Sequence, residues 1–152
     1  MNSDVWYFAY GSNMDPHRKE LRTGLIREAK TTRLPNYRFT FNKRGDDGSG
    51  KANIIPDEKA KVWGVIFRCT KKTLDRLDKD EGAPKHYRRQ TVSVFTDEDV
   101  EYEAITYVAQ DSKIQDGLKP TSDYLKHIID GARHYKLHEL DQDYITEIEK
   151  LA

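Results

Sequence analysis

Apolar residues fall along this chain in three rhythms, and each predicts a different kind of element. In VWYFAY, residues 5–10, both faces of an extended segment are apolar and rich in aromatics, and Gly11 ends the run. That pattern describes a strand buried in the middle of a sheet. KVWGVIFRC, residues 61–69, reads the same way. A second rhythm has a period of two. NYRFTFN at 36–42 alternates Tyr37, Phe39 and Phe41 with polar neighbours, and YRRQTVSVF at 87–95 and YEAITYVA at 102–109 alternate likewise. These strands are expected to keep one wet face.

The third rhythm is helical. Thr70 is placed to cap TKKTLDRLDKDE, a short helix with Leu74 and Leu77 on one face and Gly82 as its stop. In TSDYLKHIIDGARHYK, Tyr124, Leu125, Ile128, Ile129 and Ala132 form one apolar stripe. In DQDYITEIEKLA, Tyr144, Ile145, Ile148 and Leu151 form another. RGDDGSGK at 44–51 has the glycine, aspartate and serine of a mobile loop. Strands and helices that do not strictly alternate predict an α+β fold or a small mixed barrel rather than a doubly wound sheet.

Length adds one constraint. A chain of 152 residues encloses a single core, so residues 1–152 are expected to form one domain. Charge removes some partners: 26 basic and 26 acidic residues cancel, so no net field draws the protein to nucleic acid or to an anionic membrane. The basic run Lys85-His86-Tyr87-Arg88-Arg89 is balanced by acidic runs such as Asp97-Glu98-Asp99, and both read as solvated faces. The single cysteine, Cys69, excludes an internal disulfide and fits a reducing compartment. MNSDVWYFAY has no charged leader and no long apolar stretch, so a cytoplasmic, soluble protein is expected.

Most candidate chemistries fail on spacing. Among His17, His86, His127, His134 and His138, only the last two have i, i+4 spacing. No acid lies between them as a zinc hydrolase motif requires, so they read as surface histidines at a helix end. Cys69 lies in an apolar strand with no base nearby in sequence, which describes an inert thiol. No phosphate-cradling glycine pattern occurs around Gly11 or elsewhere. Ser12 lacks the second glycine of a nucleophile elbow.

Two places stay open. Gly11-Ser12-Asn13, at the end of the aromatic strand, is either a capped turn or a run of backbone amides able to nest an oxyanion or carboxylate. Glu81 closes a helix end already crowded by Asp78 and Asp80, where the helix dipole disfavours negative charge. It is either a surface acid or a proton-transfer group.

Taken together, YFAYGSNM, VWGVIF, LDRLDKDEG and PTSDYLKHIIDGARHY resemble, in order and spacing, the γ-glutamylcyclotransferase family. The family includes plant avirulence-induced proteins and the γ-glutamyl-acyl cyclotransferase of butirosin synthesis. The resemblance runs from about residue 5 to the C-terminus. Its late PxxxYLxxIxxGA segment favours the γ-glutamylcyclotransferase branch proper over the glutathione-specific one.

The resemblance implies a small mixed β-barrel flanked by helices, with the YGSN loop and Glu81 meeting at one cavity. It implies Glu81 as the catalytic acid–base. Tyr7, Phe8, Ala9, Tyr10, Gly11 and Ser12, with Asn13 and Met14 beside them, are implied to hold the γ-glutamyl group. Tyr124 aligns with a pocket tyrosine, and Tyr87 is a further candidate. The implied substrate is a small γ-glutamyl amide, cleaved to 5-oxoproline and a free amine or amino acid without a cofactor or metal. Relatives are sometimes homodimers. A cyclotransferase releasing a larger γ-glutamylamine or γ-glutamyl-acyl leaving group, and a binding module that keeps the pocket without turnover, are the competing expectations.

Overall fold

A computed structural model describes residues 4–16 and 28–152. His17 lies outside the described residues. Five strands close into a barrel: β1 (Asp4–Ala9), β2 (Glu28–Arg44), β3 (Gly50–Thr70), β4 (Tyr87–Phe95) and β5 (Glu101–Ala109), in the order β1-β3-β2-β4-β5. Among the described residues, the helices that accompany them are α1 (Lys71–Asp80), α2 (Ser122–His134), α3 (Leu137–Leu140) and α4 (Tyr144–Leu151). Short 3-10 turns occupy Ser12–Met14 and Asp111–Lys113. This is the expected small mixed barrel. No helix among the described residues is long and apolar enough to cross a membrane.

The barrel is two blocks joined along two thin seams. β1 runs antiparallel to β3 over its whole length, β3 to β2, and β4 to β5. Between the blocks, β1 meets β5 in parallel at Tyr7↔Ile105, and β2 meets β4 at Arg33↔Phe95. Side chains staple the first seam: the Thr106 hydroxyl donates to the Phe8 carbonyl at 2.8 Å, and the Tyr10 hydroxyl to the Tyr107 carbonyl at 2.6 Å. Buried partners of this kind close an edge that backbone pairing alone leaves open.

The strand pair β2–β3 is longer than the sequence pattern suggested. Residues 28–35 and 50–60 are strand as well, although Pro35, Pro56 and many charged residues break the apolar rhythm there. Two register shifts, at Pro35/Tyr37 and Thr40/Lys43, absorb the irregularity, with Asn36 at a φ of 69°. The expected mobile loop at 44–51 is instead a compact turn. Gly45 N–H donates to the Ser49 carbonyl at 2.9 Å, and Asp47 Oδ1 accepts from both the amide and the hydroxyl of Ser49. A short aspartate that satisfies a neighbouring amide fixes such a turn.

The helix signals hold locally. Thr73 N–H donates to Thr70 Oγ1 at 3.1 Å, and Gly82 takes a φ of 65°, ending α1 in the left-handed conformation a glycine tolerates. Leu74, Leu77, Ile128, Ala132, Tyr144, Ile145 and Ile148 are buried, whereas Leu151, expected on the α4 stripe, is exposed in its last turn. Lys136, with a φ of 58°, separates α2 from α3. His134 and His138 therefore sit on different helices, and the i, i+4 relation does not apply. Cys69 is buried in β3, as expected.

Candidate active site

The end of β1 delivers the first half of the site. After Ala9 the chain turns at Tyr10-Gly11 into the 3-10 turn, closed by Met14 N–H and Asp15 N–H donating to the carbonyls of Gly11 and Ser12, both at 3.1 Å. The amides of residues 11–13 precede the first bond of that turn. A side chain on Gly11 would come within 3.1 Å of the Ala52 methyl group, so the glycine lets this loop lie against β3. Ser12 and Asn13 are both buried.

The second half comes from the end of α1. Glu81 caps the helix, its N–H donating to the Leu77 carbonyl at 2.8 Å. The turn that follows is pinned by His86 N–H to the Gly82 carbonyl at 2.7 Å and by Gln110 N–H to the His86 carbonyl at 3.0 Å. Two of the acids on α1 are already engaged. Asp78 accepts from Tyr107 at 2.6 Å and from Arg89 at 2.7 and 2.9 Å. Arg89 also reaches Asp75 at 3.0 Å. Glu81, the acid nearest the pinned turn, is left facing the loop.

One amide joins the halves. Asn13 Nδ2 donates to Glu81 Oε1 at 2.6 Å and to the Tyr7 hydroxyl at 2.9 Å. Around this junction is an inner cavity of about 40 Å³. Tyr7, Tyr10, Gly11, Ser12 and Asn13 form one wall, and Ala52, Tyr87, Thr106, Tyr107 and Tyr124 the others. Glu81 is the one carboxylate among the described residues lining it. A wider cavity of about 430 Å³ lies outside it, sharing Ser12, Glu81, Tyr87 and Tyr124 with the inner one.

Two of the phenols brace the wall of the cavity. Tyr87 donates to the Ala52 carbonyl at 2.7 Å, and the Tyr124 hydroxyl accepts from Ala52 N–H at 3.0 Å, so both grip one residue of β3. Burial pushes the Tyr87 hydroxyl well above its ordinary pKa, and for Tyr10 burial is reinforced by the charge of Glu81. Burial and the bond to Asp78 do the same for Tyr107.

Of the residues implied for the γ-glutamyl group, Tyr7, Tyr10, Gly11, Ser12, Asn13 and Tyr124 face the cavity together with Glu81 and Tyr87. Phe8, Ala9 and Met14 do not. Phe8 is fully buried beside Gly64, where an added Cβ would meet its ring at 2.7 Å, and Ala9 is enclosed in the β1–β3 pairing. Met14 is pressed against α2, where a Cβ on Gly131 would lie 2.5 Å from it. All three side chains are buried in the core.

Several site residues gave no signal in the sequence. Ala52, Thr106 and Tyr107 lie on strands whose apolar rhythm explains them equally well as core. His86 and Tyr87 belong to the basic run read as a solvated face, yet Tyr87 is buried, and so is Lys43, to which the sequence pattern assigned no role. The cause at Lys43 is the register shift in β2: Phe41, Asn42 and Lys43 are buried in succession where strict alternation exposes one of them.

Sequence and structure comparison complete the picture. Residues 7–126 match the family of gamma-glutamyl cyclotransferase, AIG2-like proteins. A gamma-glutamylcyclotransferase of Bos taurus is 31% identical over 149 residues, spanning 94% of this chain and 78% of that protein. One of Homo sapiens is 30% identical over the same lengths. A solved gamma-glutamyl cyclotransferase structure superposes with a TM-score of 0.85 at 28% identity, covering 96% of this chain and 86% of that one.

Proposed function

The chain belongs to the gamma-glutamyl cyclotransferase, AIG2-like family and is an enzyme of the γ-glutamylcyclotransferase class, and we propose that Glu81 is its acid–base. The observation that carries this reading is the 2.6 Å bond between Asn13 and Glu81, which holds a carboxylate against a glycine-bearing loop at one cavity.

A γ-glutamyl amide contains its own nucleophile. Its α-amine closes a five-membered ring on the γ-carbonyl, forming the new C–N bond of 5-oxoproline as the C–N bond to the leaving amine breaks. At neutral pH the α-amine carries an extra proton and cannot attack. Glu81 takes that proton and returns one to the departing nitrogen, so a single carboxylate serves both steps. Tyr7, Tyr10 and Tyr124 bound the space in which the glutamyl chain folds, and such orientation contributes several kcal/mol to lowering a barrier (roughly 7–11 at most). The amides of residues 11–13 are the candidates for the developing oxyanion, an interaction worth about 3 kcal/mol in comparable sites. The lone cysteine supports a cytoplasmic setting for this activity.

The test is direct. Incubation with γ-glutamyl-alanine is expected to release 5-oxoproline and alanine. Glu81→Gln, which keeps the acceptor for Asn13 but not the base, is expected to lose about 10²–10⁴-fold in kcat with an unchanged melting temperature. Turnover by Glu81→Gln at the wild-type rate removes Glu81 from the role.

A further inference from the structure

We propose that Lys43 and Lys51 decide which amine this enzyme releases, by binding a carboxylate on the leaving group in the outer cavity. The inference rests on the cyclotransferase reading above and deepens it. With Glu81 at the passage between the two cavities, the glutamyl part of the substrate occupies the inner one and the departing amine points into the outer one.

The two lysines belong to the outer cavity alone, and each lies over one of the two tyrosines that flank the passage. Lys43 Nζ stands 5.3 Å from the centre of the Tyr87 ring, and Lys51 Nζ 4.4 Å from that of Tyr124. Lys43 is the deeper, at 5% exposure. It contacts the His86 ring nitrogen Nδ1 at 2.9 Å, and no carboxylate lies within ion-pair reach of it among the described residues. An ammonium has three donors, and one contact to a neutral imidazole leaves two of them for a ligand. Asp46 and Glu81 attract Lys43 only from beyond ion-pair distance, burial holds its pKa down, and an arriving carboxylate supplies the direct partner that offsets this cost. Lys51 and Lys43 also repel one another, which a shared anion relieves.

The acids of this cavity are arranged differently. The Asp46 side chain is 92% exposed, 3.7 Å from the far ring nitrogen of His86. Asp80 is exposed at the rim, as is the cation Lys79. Asp47, 3.9 Å from Lys51, sits on the exposed hairpin turn. Asp46 and Asp80 thus lie at the edge of the outer cavity, Glu81 stands at its passage to the inner one, and Lys43 and Lys51 are the cations beside that passage. An amino acid leaving group carries a carboxylate one carbon from the departing nitrogen, just outside the passage. A simple alkylamine offers these lysines nothing, and a cationic amine is repelled.

The experiment compares γ-glutamyl-alanine with γ-glutamyl-ethylamine, whose leaving groups differ only by the carboxylate, in the wild type, Lys43→Met and Lys51→Met. The wild type is expected to favour the alanine substrate in kcat/KM by at least about tenfold, the worth of one charge-assisted hydrogen bond. In each variant that ratio is expected to fall towards one, chiefly through KM for the alanine substrate. Because the readout is a ratio, a variant that only loosens the fold lowers both substrates alike and keeps the preference. Preserved preference in both variants, or equal use of both substrates by the wild type, overturns the proposal while 5-oxoproline release stands. Absence of 5-oxoproline from either substrate overturns the cyclotransferase reading and this proposal with it.

Discussion

Asn13 serves two acceptors with one side-chain amide, and its replacement by aspartate isolates what that arrangement does. The substitution places a second carboxylate at the position that now donates to Glu81 Oε1 at 2.6 Å. Two carboxyl groups so close cannot both ionise, so they share a proton and the apparent pKa of the pair rises. Asn13→Asp is expected to lose at least about tenfold in kcat/KM at neutral pH, with the acid limb of the pH–rate profile moved to higher pH. A profile superimposable on the wild type would show that the amide does not govern Glu81. Part of this was legible beforehand, since Asn13 and Glu81 each stood out in the sequence. Their bond was not, because they are 68 residues apart and nothing local ties a strand-end loop to a helix end.

At the scale of elements, the site depends on how tightly α2 is pressed onto the loop after β1. Gly131 marks the contact: a Cβ there would lie 2.5 Å from the backbone carbon and the Cβ of Met14, and 2.7 Å from the Asp15 nitrogen. Alanine is the better helix former by about 1 kcal/mol, yet backbone atoms cannot yield as a flexible side chain does. Gly131→Ala is therefore expected to destabilise, by about 1–3 kcal/mol, despite its gain in helix propensity. It is also expected to raise KM, because the displaced segment carries Ser12 and Asn13. A melting temperature at or above the wild type's would contradict the packing. The cap of α1 gives a cleaner local test. Thr70→Ala removes the 3.1 Å bond from Thr73 N–H and is expected to cost about 1 kcal/mol in a thermal melt, close to the value for an isolated cap.

For the whole molecule, acid stability reports how its parts meet. His86 lies where the hairpin turn, the end of α1 and the start of β4 converge. Burial and the nearby Lys43 cation hold its pKa below the ordinary value, Lys113 and Lys85 adding to the effect and Asp46 opposing it. The folded state thus binds fewer protons at this site than the unfolded chain does near pH 6. Well above the unfolded pKa of about 6.5 the group contributes nothing to the pH dependence. As the pH falls through that value, the unfolded state takes up protons that the folded state resists, and stability declines. Melting temperatures followed from about pH 7.5 to pH 5.5 are expected to drop less in His86→Gln than in the wild type. Equal slopes would place His86 outside this junction.

What the sequence determined by itself is local: five strands, the capped helix ending at Gly82, the apolar stripes of α2 and most of α4, and the glycine turn after β1. Those features follow from side-chain period, caps and turn residues, which act over a few positions. The tertiary structure decided three further matters: that Glu81, at the end of α1, meets Asn13 in the turn after β1, that Phe8, Ala9 and Met14 turn into the core, and that Lys43 is buried. Seam closure and a register shift depend on which strands lie side by side, and periodicity along one strand carries no information about its neighbour.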